Sequence, residues 1–257
     1  IYKVDAFTSH LFRDNPAAVV PLERWLNDEL LLSIALENNL SETAYLVPNG
    51  GGYHIRWFTP YVEVDLCGHA TLASSHVIFT ELGFGDEVIE FQSRSGPLRV
   101  EQEEDGYVMD FPVETQTSCE IPERIVNGLG LEPKEIYKGT DYVAVVNSQD
   151  VVEQLAPDFR ELARLDSRGV IVTAPGDDCD FVSRGFFPQT GIDEDPVTGS
   201  AHCQMAPYWA ERLGKTRLVG RQLSARGGEV ICNLEGKRVK LQGSAVTYLK
   251  GTIQIPD

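Results

Sequence analysis

No apolar run in the chain reaches the ~18 residues that a membrane helix needs. The opening stretch, Ile1-Tyr2-Lys3-Val4-Asp5-Ala6-Phe7, alternates like a strand and lacks the continuous apolar core of a signal peptide. A cytoplasmic protein is the expectation. Cysteines are few, odd in number and scattered (Cys67, Cys119, Cys179, Cys203, Cys232), with no C-x-x-C pair. That argues against a disulfide framework and against a structural zinc site, and predicts reduced, mostly buried thiols. Also missing are an H-E-x-x-H zinc motif, a Walker-type phosphate loop, a G-x-G-x-x-G turn and a serine-centred nucleophile elbow. His69 and His76 stand two helical turns apart, too far to share a metal ion. Positive charge is short as well: 22 Lys and Arg face 39 Asp and Glu, a net charge of −17. Such a surface repels phosphate backbones and anionic lipid, so neither nucleic acid nor membrane is an expected partner. An anionic substrate would need local positive potential from helix N-termini or placed arginines.

What is present is a long-period repeat. Arg56-Trp57-Phe58-Thr59-Pro60 resembles Arg184-Gly185-Phe186-Phe187-Pro188. The segment from Gly68-His69-Ala70 to Gly83 matches Gly199-Ser200-Ala201 to Gly214, and Arg94-Ser95-Gly96 matches Arg226-Gly227-Gly228. The 257 residues therefore read as two copies of one strand-rich unit, each wrapped on a central helix, an α+β architecture. The expected lobes are 1–113 plus 245–257 and 114–244, with a last strand near Val246–Gly251 returning to the first sheet. Strand patterns include Tyr2–Ala6, Ala17–Val20, Thr43–Val47, Tyr53–Phe58, Tyr142–Val146, Val170–Thr173 and Phe181–Phe186. Helical patterns cover Asn27–Asn38, with Asn27 as N-cap, Gly68–Leu82, Pro157–Leu165 and Gly199–Leu213. Pro207 inside the last predicts a kink.

Each repeat helix opens on a glycine, where backbone can approach a ligand and unpaired N–H groups attract anions. A pseudo-two-fold axis between the helix starts would aim both at one cleft. Glu42 follows a helix and enters a strand, on one face with Ala44 and Leu46. A carboxylate on an apolar face is buried, and burial moves it toward the range useful for proton transfer. The second copy has no carboxylate at the corresponding place, near Gly169. His69 and Ser200 follow the two helix-start glycines as candidate donors. Asp195 is stiffened by Pro196, whereas Asp193 and Glu194 read as a solvated acidic loop. Arg56 and Arg184 read equally as acid-holding groups and as packed stems. Cys203, a turn into the second helix, reads as packed.

The segments Asn15-Pro16-Ala17-Ala18-Val19, Asn39-Leu40-Ser41-Glu42-Thr43-Ala44, Cys67-Gly68-His69-Ala70-Thr71 and Glu194-Asp195-Pro196-Val197-Thr198-Gly199-Ser200-Ala201-His202 resemble the phenazine-biosynthesis PhzF-like family along the whole chain. The resemblance implies a diaminopimelate epimerase-like fold, two strongly curved, mostly antiparallel sheets each on a central helix, commonly as a homodimer. It implies an isomerase of a small carboxylate-bearing substrate that works without metal or organic cofactor. Glu42 is then the acid/base, with His69, Asp195 and Ser200 as further catalytic positions, and Asn15, Gly68 and Gly199 binding substrate. The fold also hosts racemases and epimerases with a cysteine at each helix start. Cys67 fits the first place, but Pro196-Val197-Thr198 supplies no thiol at the second. A non-catalytic small-molecule binder of the same fold is the remaining alternative.

Overall fold

The computed structural model describes residues 1–256. Its mixed α+β chain resolves into two compact units, Ile1–Asp110 with the chain from Gln242 onward, and Phe111–Leu241.

In the first unit β1 (Tyr2–Ala6) runs antiparallel to β2 (Asn15–Pro21) and, on its other edge, to the strand Ala245–Lys250, so the C-terminal segment does return to the first sheet. Helix α1 (Asp28–Asn38) carries the chain back to β3 (Glu42–Asn49), which lies parallel to β2; β4 (Gly52–Phe58) then pairs antiparallel with β3. Asn27 caps α1 through its side chain, which accepts from Leu30 N at 2.8 Å, and Asn39 closes the helix in the left-handed region. Val20, Tyr45 and Phe58 turn to α1, against Leu31, Ile34 and Ala35. The opposite face meets α2 (Gly68–Glu81), which packs on β1, β2 and β3. This helix is buried on almost every side through Ile78. Its polar members survive burial by bonding backwards: the hydroxyls of Thr71, Ser74 and Ser75 donate to the carbonyls of Cys67, Ala70 and Thr71 at 2.6–2.9 Å.

The second unit repeats the theme. Strand β5 (Tyr142–Val145) is parallel to β6 (Val170–Pro175), which pairs antiparallel with β7 (Phe181–Phe187). Next come β8 (Ile192–Asp195), helix α3 (Gly199–Leu213) and β9 (Arg217–Gln222), which runs parallel to β7. Helix α3 runs as one segment through Pro207. The helix expected over Pro157–Leu165 shrinks to Phe159–Leu162, because Asp158 caps it by accepting from Arg160 N at 2.9 Å and the chain after Ala163 tightens into turns. Short helices at Glu123–Leu129 and Gln149–Glu153, and the strands Glu135–Lys138, Ile192–Asp195 and Arg217–Gln222, carry no pattern that the sequence reading recognised.

Among the described residues no helix is long and apolar enough to cross a membrane.

Candidate active site

Glu42 opens β3 opposite Ala17 of β2, and side-chain alternation puts Ala17, Val19, Glu42, Ala44 and Leu46 on the face that α2 covers. Ala44 and Leu46 are fully buried, so the carboxylate begins an apolar stripe as expected; its side chain is 13% exposed. Asn15, two residues before Ala17, shares this face and is fully buried. It follows Asp14, a buried residue held at φ 62°, the left-handed region that costs a non-glycine residue of order 1 kcal/mol.

Helix α2 brings the other half of the corner. Cys67 is its N-cap in extended backbone and makes no side-chain capping bond, so the first-turn N–H groups are not closed off by a cap side chain. Gly68 begins the helix and His69 follows. His69 Nε2 lies 3.2 Å from Glu42 Oε2, and its Nδ1 lies 3.5 Å from Cys67 Sγ. Burial pushes the imidazole down to about 3, so it is neutral. The direction of the Nδ1–thiol bond follows the imidazole tautomer, while Nε2 and Oε2 approach closely without hydrogen-bond alignment. Glu42, Cys67 and His69 thus present an oxygen, a sulfur and a nitrogen within 4.8 Å of one another. His76 belongs elsewhere: its ring bonds Tyr107 Oη at 2.9 Å and Thr247 Oγ1 at 3.0 Å.

At the start of α3 the chemistry differs. Thr198 is the N-cap, and its hydroxyl donates to Asp195 Oδ2 at 2.6 Å instead of capping the helix. Gln222, at the end of β9, locks this corner. It accepts from Thr198 N at 2.9 Å and donates to Asp195 O at 2.7 Å. Ser200 Oγ accepts from Arg168 Nη2 at 3.2 Å, and Arg168 forks onto the buried carboxylate of Asp141 with bonds of 3.1 and 2.5 Å. Gln222, Arg168 and Asp141 are positions the sequence reading missed. Gln222 sits on an unrecognised strand, and the ion pair spans 27 residues with no local signal.

One expectation is corrected, and one left open is resolved. Glu194 is no solvated loop residue: it takes a bidentate pair from Arg184 at 2.7 and 2.9 Å, while Asp193 is exposed. Arg56 and Arg184 are not available to hold a substrate acid. Arg56 is forked onto Glu63 at 2.7 Å, and Arg184 also donates to the carbonyls of Val152 and Leu155. Each guanidinium stacks at 5.0 Å on the aromatic ring two residues on, Phe58 in one unit and Phe186 in the other. Cys203 is packed and buried, as expected.

Residues 4–251 match the family model described as phenazine biosynthesis-like protein, PhzC-PhzF. The chain is 50% identical over 255 residues to a Pseudomonas aeruginosa protein named as an uncharacterized isomerase, covering 99% of this chain and 98% of that one. It superposes on the crystal structure of a PhzF-family protein from Enterococcus faecalis with a TM-score of 0.96 at 46% identity, over 99% of this chain and 98% of that one. A probable proline racemase from Agrobacterium radiobacter shares the fold alone, with a TM-score of 0.64 at 10% identity over 99% of this chain and 92% of that one.

Proposed function

Because the chain belongs to the phenazine biosynthesis-like PhzC-PhzF family and is an isomerase of that family, we propose that it moves a proton along a small carboxylate-bearing substrate with Glu42 as the acid/base group. One observation carries this: the largely buried Glu42 carboxylate is held 3.2 Å from a neutral imidazole at the start of a helix whose cap side chain leaves the first turn open. Glu42 takes a proton from a carbon beside the substrate's carboxylate and returns it at another carbon of the same π-system, so the net change is isomerisation with no redox partner. His69 fixes the carboxylate's position, and its neutrality keeps it from quenching the base by permanent ion pairing. The open first turns of α2, at Gly68, and of α3, at Gly199 and Ser200, are proposed anion-binding positions, favourable to a carboxylate and to enolate charge. Asn15 is proposed to bind substrate beside Glu42, and Asp195 to hold the start of α3 in shape through Thr198.

A thiol-pair racemase is disfavoured, because the N-cap of α2 is Cys67 while the N-cap of α3 is Thr198. The test is a metabolite screen in heavy water with wild type and Glu42→Gln. Deuterium entering a compound only with the wild type supports the proposal and identifies the substrate; incorporation unchanged by the substitution removes Glu42 from the mechanism.

A further inference from the structure

Proton transfer by Glu42, with His69 positioning it, leaves the Cys67 thiol without a role, yet Cys67 is buried at the same corner and in contact with the same imidazole. An oxygen, a nitrogen and a sulfur gathered from a strand start and a helix start are the donor set of a borderline-soft divalent cation, for which three protein ligands with an open fourth place is a common arrangement. We propose that Glu42, Cys67 and His69 form a site for a thiophilic divalent cation of the zinc class, and that its occupancy blocks the enzyme. The blocking half rests on Glu42 being the acid/base.

Distances support the site. Bonds of ~2.0 Å to nitrogen or oxygen and ~2.3 Å to sulfur around a tetrahedral ion put ligand atoms about 3.3–3.7 Å apart. The two contacts present, 3.2 Å from nitrogen to oxygen and 3.5 Å from nitrogen to sulfur, already lie near that range. They use opposite ring nitrogens, and an ion takes one of them. The separations for a single nitrogen stay within 4.8 Å. Closing that gap needs about 1 Å of travel, which one side-chain torsion of Cys67 or Glu42 supplies.

Charge supports it too. A doubly positive ion held by one carboxylate, one thiolate and one neutral imidazole gives a corner with no net charge, and a neutral assembly is what burial tolerates. On binding, the thiol proton leaves to solvent as the sulfur–metal bond forms; the imidazole binds through a lone pair and the carboxylate through one oxygen. Magnesium and calcium, which want oxygen ligands throughout, have no such match here. Bound this way, Glu42 has its basic oxygen on the metal and is removed from carbon acid chemistry.

The test is a titration of the full chain with cobalt(II) chloride, followed by displacement with zinc chloride. The expected result is one equivalent of cobalt bound with a near-ultraviolet thiolate-to-cobalt band and visible bands of four-coordinate intensity. The near-ultraviolet band should vanish in Cys67→Ser, persist in the Cys119→Ser/Cys179→Ser double variant, and zinc affinity should fall about tenfold or more in His69→Gln. Absent stoichiometric uptake, or a band that survives Cys67→Ser, overturns the site. The thermal midpoint of metal-free Cys67→Ser certifies that the variant folds, and His69→Gln gives an independent reading if it does not. Zinc should also stop deuterium incorporation in the metabolite screen, and a chelator should restore it. Cobalt uptake with incorporation undisturbed keeps the site and overturns the blockade; no uptake with Glu42-dependent incorporation overturns the site and leaves the acid/base assignment standing.

Discussion

The residue before each central helix, and the residue one past its first glycine, are Cys67 and His69 in the first unit and Thr198 and Ser200 in the second. Both caps are extended, and neither side chain closes the first turn. Around α2 the neighbours are proton-handling groups, a carboxylate and a thiol on one neutral imidazole. Around α3 they are already spent on one another: Thr198 on Asp195, Gln222 on both, and Arg168 shared between Asp141 and Ser200. Both units keep the helix start as a backbone device; under the proposed function the first unit supplies the chemistry and the second rigid positioning. The place of Glu42 shows why the specialisation is one-sided. Thr43 faces Phe58 across β3 and β4 as Val170 faces Phe186 across β6 and β7, so Gly169 stands where Glu42 does. A Cβ at Gly169 would lie 2.1 Å from Phe186 O and 2.6 Å from the ring of Phe187. The second unit has no room for any side chain there, least of all a carboxylate.

The sharpest way to break this division is kinetic. Glu42→Gln should lower solvent-proton exchange about 10³-fold, within the span that general acid–base groups supply, whereas Ser200→Ala should cost about tenfold, one hydrogen bond's worth. Comparable losses in the deuterium-incorporation rate would mean that the two helix starts are not specialised. The steric claim comes next in size. Gly169→Ala should destabilise the fold by about 3 kcal/mol, because the atom it strikes is backbone and cannot step aside. A urea-denaturation midpoint shifted by less than the equivalent of ~0.5 kcal/mol would show that the missing carboxylate has some other cause.

The comparison extends to the buried histidines. His69 of α2 is pushed down to about 3 by burial. His202 of α3 is pushed down to about 4, burial again dominating while its Nδ1–H bond to Thr198 O opposes it at 2.8 Å. Unfolded histidine takes up a proton near 6.5. Between 6.5 and these folded values the unfolded chain therefore binds more protons than the native one, and stability present above pH 6.5 is lost as pH falls toward 4 and then 3. The loss should approach 1.4 kcal/mol per pH unit for each imidazole. Chemical-denaturation curves at pH 7 and pH 4.5 should differ least for the variant lacking both rings, His69→Gln/His202→Gln. A pH slope unchanged in that variant would assign the acid limb to other groups.

Much of this was legible in the sequence, for reasons that differ residue by residue. Asn27 announces α1 because an N-cap acts within its own turn, and Gly199–Leu213 is bounded by two glycines. Glu42 was placed on its buried face by strand alternation alone, a property of the backbone. Arg217–Gln222 escaped because Gly220 and two arginines interrupt its apolar alternation. Its glycine is explained only by the ring of Phe181, which a Cβ there would meet at 2.4 Å. Gln222 therefore reached the start of α3 unseen. The fork of Arg168 on Asp141 joins two strand entrances, and only the parallel pairing of β5 with β6 brings them together. The cluster of Glu42, Cys67 and His69 has no local spacing signature either, because its side chains come from a strand start and a helix start 25 residues apart in sequence.

The smallest expected effect tests the likeness of the units instead of their difference. Arg56 and Arg184 occupy repeat-equivalent places, each forked onto a glutamate and stacked on the ring two residues on. They are not equally committed. Arg56 is 20% exposed and its Nη2 also donates to the exposed Asp28, whereas Arg184 is 13% exposed and donates to the carbonyls that end the helix Gln149–Glu153. Lysine keeps the charge but loses the fork and the flat stacking face. At Arg56 that change loses the fork on Glu63 and a solvent-screened bond to Asp28, and should cost about 0.5 kcal/mol. At Arg184 it also strips buried carbonyls of their donor, and the cost should be nearer 1.5 kcal/mol. Thermal or urea unfolding of Arg56→Lys and Arg184→Lys side by side measures the gap. An equal cost in both would mean that the fork onto glutamate is the whole contribution and that the second unit's extra bonds to Val152 and Leu155 add nothing.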